Sequence, residues 1–171
     1  MSSPQVVMVV GSSSDLDVMM NGVKVLKGYG IEYEVRVLSA HRAPDAVGEF
    51  ARAATDRGVK VLIAGAGAAA HLAGALAAHS ALPVIGVPLV ASPLAGFDAL
   101  LATVQMPGGV PVATVGVGKA GAVNAAHLAA RIIALADEEL ARKVADERDA
   151  QVDRVMRMDG EVKERLEEEG L

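Results

Sequence analysis

Short runs of β-branched residues recur along the chain, each followed by a longer stretch rich in alanine, and few folds accommodate that rhythm. Strand-forming segments that alternate with helix-forming ones build a parallel sheet covered by helices. Val6–Val10 is apolar on both faces, as a strand buried on both sides must be. The pattern predicts a helix from Asp15 to Lys27, a strand at Tyr33–Leu38 and a helix at Pro44–Arg57. A strand at Val59–Ala64 and an alanine-rich helix ending near His79 come next, then a strand at Val84–Val87. A helix at Gly96–Val104, a strand at Val112–Val117 and a helix at Val123–Leu135 complete the series. The expected architecture is a three-layer α/β/α sandwich on a parallel sheet, with a helical arm at the C-terminal end.

The 171 residues suffice for one domain with a sizeable core. That core must be assembled from Ala, Val, Leu, Ile and Met, because 52% of residues are hydrophobic but only 2% are aromatic. From Asp137 onward the composition changes abruptly, to 13 acids against 7 bases with no proline. Interspersed charges of this kind suit a solvent-exposed helix with pairs four residues apart. Ala141, Val144, Val152, Val155 and Met158 give it a narrow apolar stripe, and an arm packed on its own subunit or a neighbour is expected. Residues 1–136 are expected to form the body of the domain, its catalytic part, and 137–171 an arm of the same domain.

Several classes of function fall away on composition. The net charge is −5 with no basic patch, which argues against nucleic-acid binding. With no cysteine, disulfides, thiolate nucleophiles and cysteine-ligated zinc are excluded. No uninterrupted apolar run is long enough for a membrane span, and the opening Met1-Ser-Ser-Pro4 lacks the pattern of a secretory signal. A cytoplasmic location is the expectation.

Chemistry concentrates where the first three strands end. In an open parallel sheet, ligands bind in the crevice beyond the carboxyl ends of the strands. The first strand runs into Gly11-Ser-Ser-Ser-Asp15 at a helix start, offering backbone N–H groups, hydroxyls and the positive end of a helix dipole. Phosphate uses all three, although Ser and Asp are also ordinary helix caps. The glycine pattern of dinucleotide sites and the Walker pattern are both missing. The second strand ends in Ser39-Ala-His-Arg42 before Pro44, which sets an imidazole beside a guanidinium. Imidazole suits proton transfer near neutrality, and guanidinium offers a planar fork to phosphate or carboxylate oxygens. The third strand delivers Gly65-Ala-Gly-Ala-Ala-Ala-His-Leu72, where glycines permit close backbone approach and His71 would lie in a first helical turn. His79 and His127 lie in alanine-rich helices as packing or surface residues, and the four histidines show no metal-site spacing. Lys119, between glycines, is expected in a flexible, solvated turn.

Together these segments resemble the PurE family of phosphoribosylaminoimidazole carboxylases. The resemblance runs from Val6 to about Ala136 and includes the three loops above with Pro83–Pro88, Val104–Thr114 and Gly118–Ala126. It implies a flavodoxin-like fold, a homo-oligomer, expected as an octamer, with sites at subunit interfaces, and no cofactor or metal. It further implies that Ser14 and Arg42 hold the substrate phosphate with Ser12 nearby, and that Asp15 takes the ribose hydroxyls. His41 would be the acid–base residue, and Ser39, Ala40, Gly67, His71 and Leu72 would line the pocket for the ring and its carboxylate. Of the family's two activities, Arg42 and Pro44 after His41 point to the mutase acting on N5-carboxyaminoimidazole ribonucleotide. Direct carboxylation of aminoimidazole ribonucleotide is the alternative, and a non-catalytic phosphoribosyl-binding module is another. The mutase implies a partner reaction, an ATP-dependent enzyme that makes the carbamate. Two positions depart from the family pattern: Ala68 stands for a glycine and Ala73 for a proline. Ala68 matters most if its φ must be positive.

Overall fold

The computed structural model describes residues 3–171, which fall into two compact units divided between Ile133 and Ala134. In the first unit, five parallel strands form one sheet: β1 (Val6–Val10), β2 (Tyr33–Val37), β3 (Val61–Gly67), β4 (Val84–Leu89) and β5 (Ala113–Thr114). Their spatial order is β2-β1-β3-β4-β5. Val6 is in register with both Tyr33 and Val61, so β1 is central and the order reverses between β1 and β3. This is the flavodoxin-like winding, and it puts the ligand crevice at the reversal.

The helices are α1 (Leu16–Tyr29), α2 (Pro44–Ala53), α3 (Leu72–His79), α4 (Phe97–Val104) and α5 (Gly118–Ala134). One face of the sheet is closed by α2 and α3, where Val47, Ala51, Leu72 and Leu76 join Val7, Val9, Leu62 and Ala64 in one buried cluster. On the other face lie α1 and α5. Their backbones come so close that a β-carbon on Gly22 would sit 2.5 Å from the Ala122 carbonyl oxygen. Small residues thus replace aromatic bulk with proximity. Every residue of β1 is fully buried, and each such apolar side chain contributes about 1.5–3 kcal/mol relative to exposure.

Several boundaries differ from those the sequence pattern predicts, each for a physical reason. α2 ends at Ala53 rather than Arg57, and a turn closed by Gly58 N–H donating to the Thr55 carbonyl at 3.0 Å delays β3 to Val61. β4 continues through Pro88 to Leu89. β5 pairs only with Ile85 and Gly86, so beyond Gly86 the ladder is one-sided and a residue without an N–H is tolerated. At that same edge, the expected strand Val112–Val117 is reduced to two residues. α5 begins five residues early, at Gly118, which makes Lys119 an exposed residue of a helical first turn rather than of a flexible loop.

The second unit is a helix, α6 (Glu138–Glu168), capped by the Asp137 carboxylate, which accepts from Leu140 N–H at 3.0 Å. Pairs four residues apart run along it: Lys143 with Glu139, Lys163 with Asp159 and Arg165 with Glu169. Val152, Val155 and Met158 of the predicted stripe are exposed. Among the described residues, no helix is long and apolar enough to cross a membrane.

Candidate active site

Beyond the carboxyl ends of β1, β2 and β3 lies a cleft of about 420 Å³. All ten residues singled out in the sequence line it: Ser12, Ser14 and Asp15 from the first loop, Ser39 to Arg42 from the second, and Gly67, His71 and Leu72 from the third. Ala91, just after β4, adds a wall the sequence pattern did not indicate, because the strand was expected to stop before Pro88.

The first loop is held open-ended by its own side chains. Gly11 N–H donates to the Gly65 carbonyl at 3.3 Å, which ties the loop to β3. A single 3₁₀ turn, Ser13–Asp15, leads into α1. Ser12 caps it: its Oγ accepts from Ser14 N–H at 3.3 Å and from Ser14 Oγ at 2.8 Å. Two hydroxyls and a helix start therefore converge on one corner of the cleft. Burial pushes the Asp15 carboxyl above its ordinary range, and a hydrogen bond with the Ser12 backbone offsets part of that rise.

In the second loop, Ser39 Oγ accepts from Arg42 N–H at 3.2 Å, and Ala43 N–H donates to the Ser39 carbonyl at 2.9 Å. This tight turn leads into α2, with Pro44 in its first turn, where a missing N–H costs nothing. Among the described residues no carboxylate forms an ion pair with Arg42, so its guanidinium is available to an anion.

The third loop brings in a contact that sequence spacing does not reveal. His41 Nε2 and His71 Nδ1 share a hydrogen bond of 2.7 Å, with the rings edge-on at 82° and centroids 4.8 Å apart. Only one proton fits between the two nitrogens, so the rings hold it jointly as donor and acceptor. His71 directly precedes α3. The segment that delivers it is strained: Ala68 has φ 53° and Ala70 φ 44°, in the left-handed region that alanine adopts at a cost. Gly67 admits no alternative, since a β-carbon there would run into the Ala91 methyl group. Ala73, at the second position of α3, is buried.

The remaining histidines lie elsewhere. His79 Nδ1 donates to the Ala75 carbonyl at 2.9 Å, and His127 Nδ1 is hydrogen-bonded to Tyr29 Oη at 2.9 Å. Among the described residues, no three His, Asp or Glu side chains gather as a metal site would require.

Comparison with known proteins places this arrangement in context. The model of a family described as AIR carboxylase matches residues 5–154. An N5-carboxyaminoimidazole ribonucleotide mutase of Bacillus subtilis (strain 168) is 53% identical over 146 residues, covering 85% of this chain and 90% of that protein. The protein of the same description from Escherichia coli (strain K12) is 47% identical over 152 residues, covering 89% and 90%. Among solved structures, that of Treponema denticola PurE matches with a TM-score of 0.83 at 31% identity, covering 92% of this chain and 98% of that one.

Proposed function

The chain belongs to the AIR carboxylase family, and from that premise we propose that it is an N5-carboxyaminoimidazole ribonucleotide mutase of purine biosynthesis. The enzyme moves the carboxyl group from the exocyclic nitrogen to the ring carbon, giving 4-carboxy-5-aminoimidazole ribonucleotide. The relatives compared above carry the mutase description rather than that of a direct carboxylase.

The observation that carries the mechanism is the His41–His71 hydrogen bond, set in a cleft that is also lined by Ser12, Ser14 and Arg42. Ser14 and Arg42, with Ser12 nearby, take the substrate phosphate, and the Asp15 carboxylate accepts from the ribose hydroxyls. Ser39, Ala40, Gly67, His71 and Leu72 flank the ring and its carboxylate. Phosphate anchoring supplies binding energy remote from the reacting atoms, which holds the ring against His41.

His41 begins protonated. It gives its proton to the exocyclic nitrogen as the carbamate C–N bond breaks, releasing carbon dioxide into the cleft and leaving a free amine. The electron-rich ring carbon attacks that carbon dioxide, and the new C–C bond leaves a hydrogen on a tetrahedral ring carbon. His41 removes that proton, restoring both the aromatic ring and its own starting state. The steps balance without metal, biotin or ATP.

Around the enzyme we place a homo-oligomer, an octamer by resemblance, and a cytoplasmic setting shared with an ATP-dependent enzyme that forms the carbamate. In support of association, Phe97, Leu101 and Val104 lie one and two turns apart on α4 and are all exposed, Phe97 by 68%. A contiguous apolar face of this kind marks an interaction surface.

The test gives the purified protein fresh carbamate, without ATP or bicarbonate, and follows the product by ultraviolet absorbance. Acceleration over the spontaneous background is expected, together with a loss of about 10³-fold in the His41→Asn variant with the fold retained. Activity only on aminoimidazole ribonucleotide plus bicarbonate would identify a direct carboxylase instead. Nucleotide binding without turnover would identify a binding module.

A further inference from the structure

Among the described residues, three outside glycine have positive φ, and two of them, Ala68 and Ala70, fall within the four residues that precede α3 and end at His71. Each is strained as a left-handed alanine, and such strain persists only where its surroundings enforce it. The enforcement is visible. Gly67 is fixed against Ala91, Ala70 N–H donates to the Gly67 carbonyl at 3.0 Å, and the Ala70 methyl is buried. Past the turn, Leu72 is buried and Ala75 N–H donates to the His71 carbonyl at 2.9 Å. The two ends of the segment are therefore clamped, and residue 68 bridges them.

At a position forced to positive φ, the two smallest residues behave differently. Alanine is confined to a small left-handed well, whereas glycine ranges over a broad region of the same half of the map. A methyl group at residue 68 thus narrows the path of the backbone into His71. The Ala68 side chain is exposed on the cleft wall and fills no core space, so packing does not account for it.

We propose that Ala68 is a positioning residue: its strained, confined backbone fixes the turn that presents His71 Nδ1 to His41 Nε2. The chain gives up stability in this turn and gains a fixed imidazole pair. The inference rests on the mutase reading for its kinetic consequence, but its structural part stands on the turn alone.

The experiment is Ala68→Gly in the full-length protein, alone and combined with His71→Asn. Strain relief should raise Tm by about 2 °C. The kcat of the single variant should fall about tenfold with KM little changed, because the phosphate anchor is untouched. In the His71→Asn background the same glycine should change kcat by less than about twofold, since a residue acting through His71 has nothing left to position. Ring NMR signals of His41 and His71, assigned with His41→Asn and His71→Asn, should broaden in Ala68→Gly. An unchanged kcat with sharp ring signals would overturn the proposal, as would an equal loss in both backgrounds. If the wild-type protein fails to turn over the carbamate, the mutase reading fails, and the ring signals still decide whether residue 68 holds the pair.

Discussion

In β1 every side chain is buried, and the strand is paired on one side to β2 and on the other to β3, from Tyr33 and Val61 onward. In the 31 residues of α6 only Leu140 is buried, and the bonds that shape the helix all lie within four or five residues of one another. The first region exists because distant segments are brought together; the second is written locally, in a cap and in pairs of opposite charge. Such pairs each contribute about 0.2–0.5 kcal/mol, so α6 stands on many small terms where the sheet stands on a few large ones. A single substitution should accordingly act globally in one region and locally in the other.

The largest effect is expected from Met8→Ala, at the centre of β1. Loss of this buried side chain should cost about 2–5 kcal/mol, and denaturant unfolding should show the whole sheet losing that stability together. If amide exchange changed only around residue 8, the contrast would be broken. A smaller effect follows from Asp137→Ala, which removes the cap on Leu140 N–H. About 1 kcal/mol should be lost from the first turn of α6, seen as faster amide exchange there with the sheet amides unmoved.

The smallest effects come from two carboxylates of the first unit with opposite signs. Asp15 is raised by burial, so the fold prefers its neutral form. The penalty appears as pH rises through the ordinary Asp range, about 3.9, and is complete above the raised folded value. Asp15→Asn should therefore raise Tm slightly at neutral pH, with the gain vanishing in acid. Glu34 on β2 behaves conversely. Burial raises it, but hydrogen bonds and charges from Arg36 and Arg57 together carry it below the ordinary value. Its contribution is present above about pH 4.3 and fades as pH falls through the lowered folded value. Glu34→Gln should lower Tm slightly at neutral pH, and thermal scans across pH 3–7 would separate the pair.

What the sequence discloses follows the same division. Val6–Val10 and the charged tail are legible because a strand buried on both faces and an exposed helix each leave their mark in neighbouring residues. The three loops are legible for a related reason: each interrupts an apolar run with Ser, Asp, His or Gly where a buried strand must end. β5 is not, because its two residues depend on how far β4 extends beside it. Nor is the His41–His71 contact, which joins loops 30 residues apart through side-chain orientation. Ala68 lies between these cases. Its departure from glycine is plain in the sequence, but its φ of 53° is set by Gly67 and Ala70 on either side.

The close approach of α1 and α5 has a practical consequence for anyone following this protein in solution. The chain has no tryptophan and two tyrosines. Tyr33 is on the edge strand, whereas Tyr29 is buried and hydrogen-bonded to His127 across those two helices. Tyrosine emission is therefore a native optical gauge, and a Tyr33→Phe variant would isolate its Tyr29 component. Separation of α1 and α5 is expected to change the Tyr29 contribution to that emission, with no dye or engineered fluorophore required.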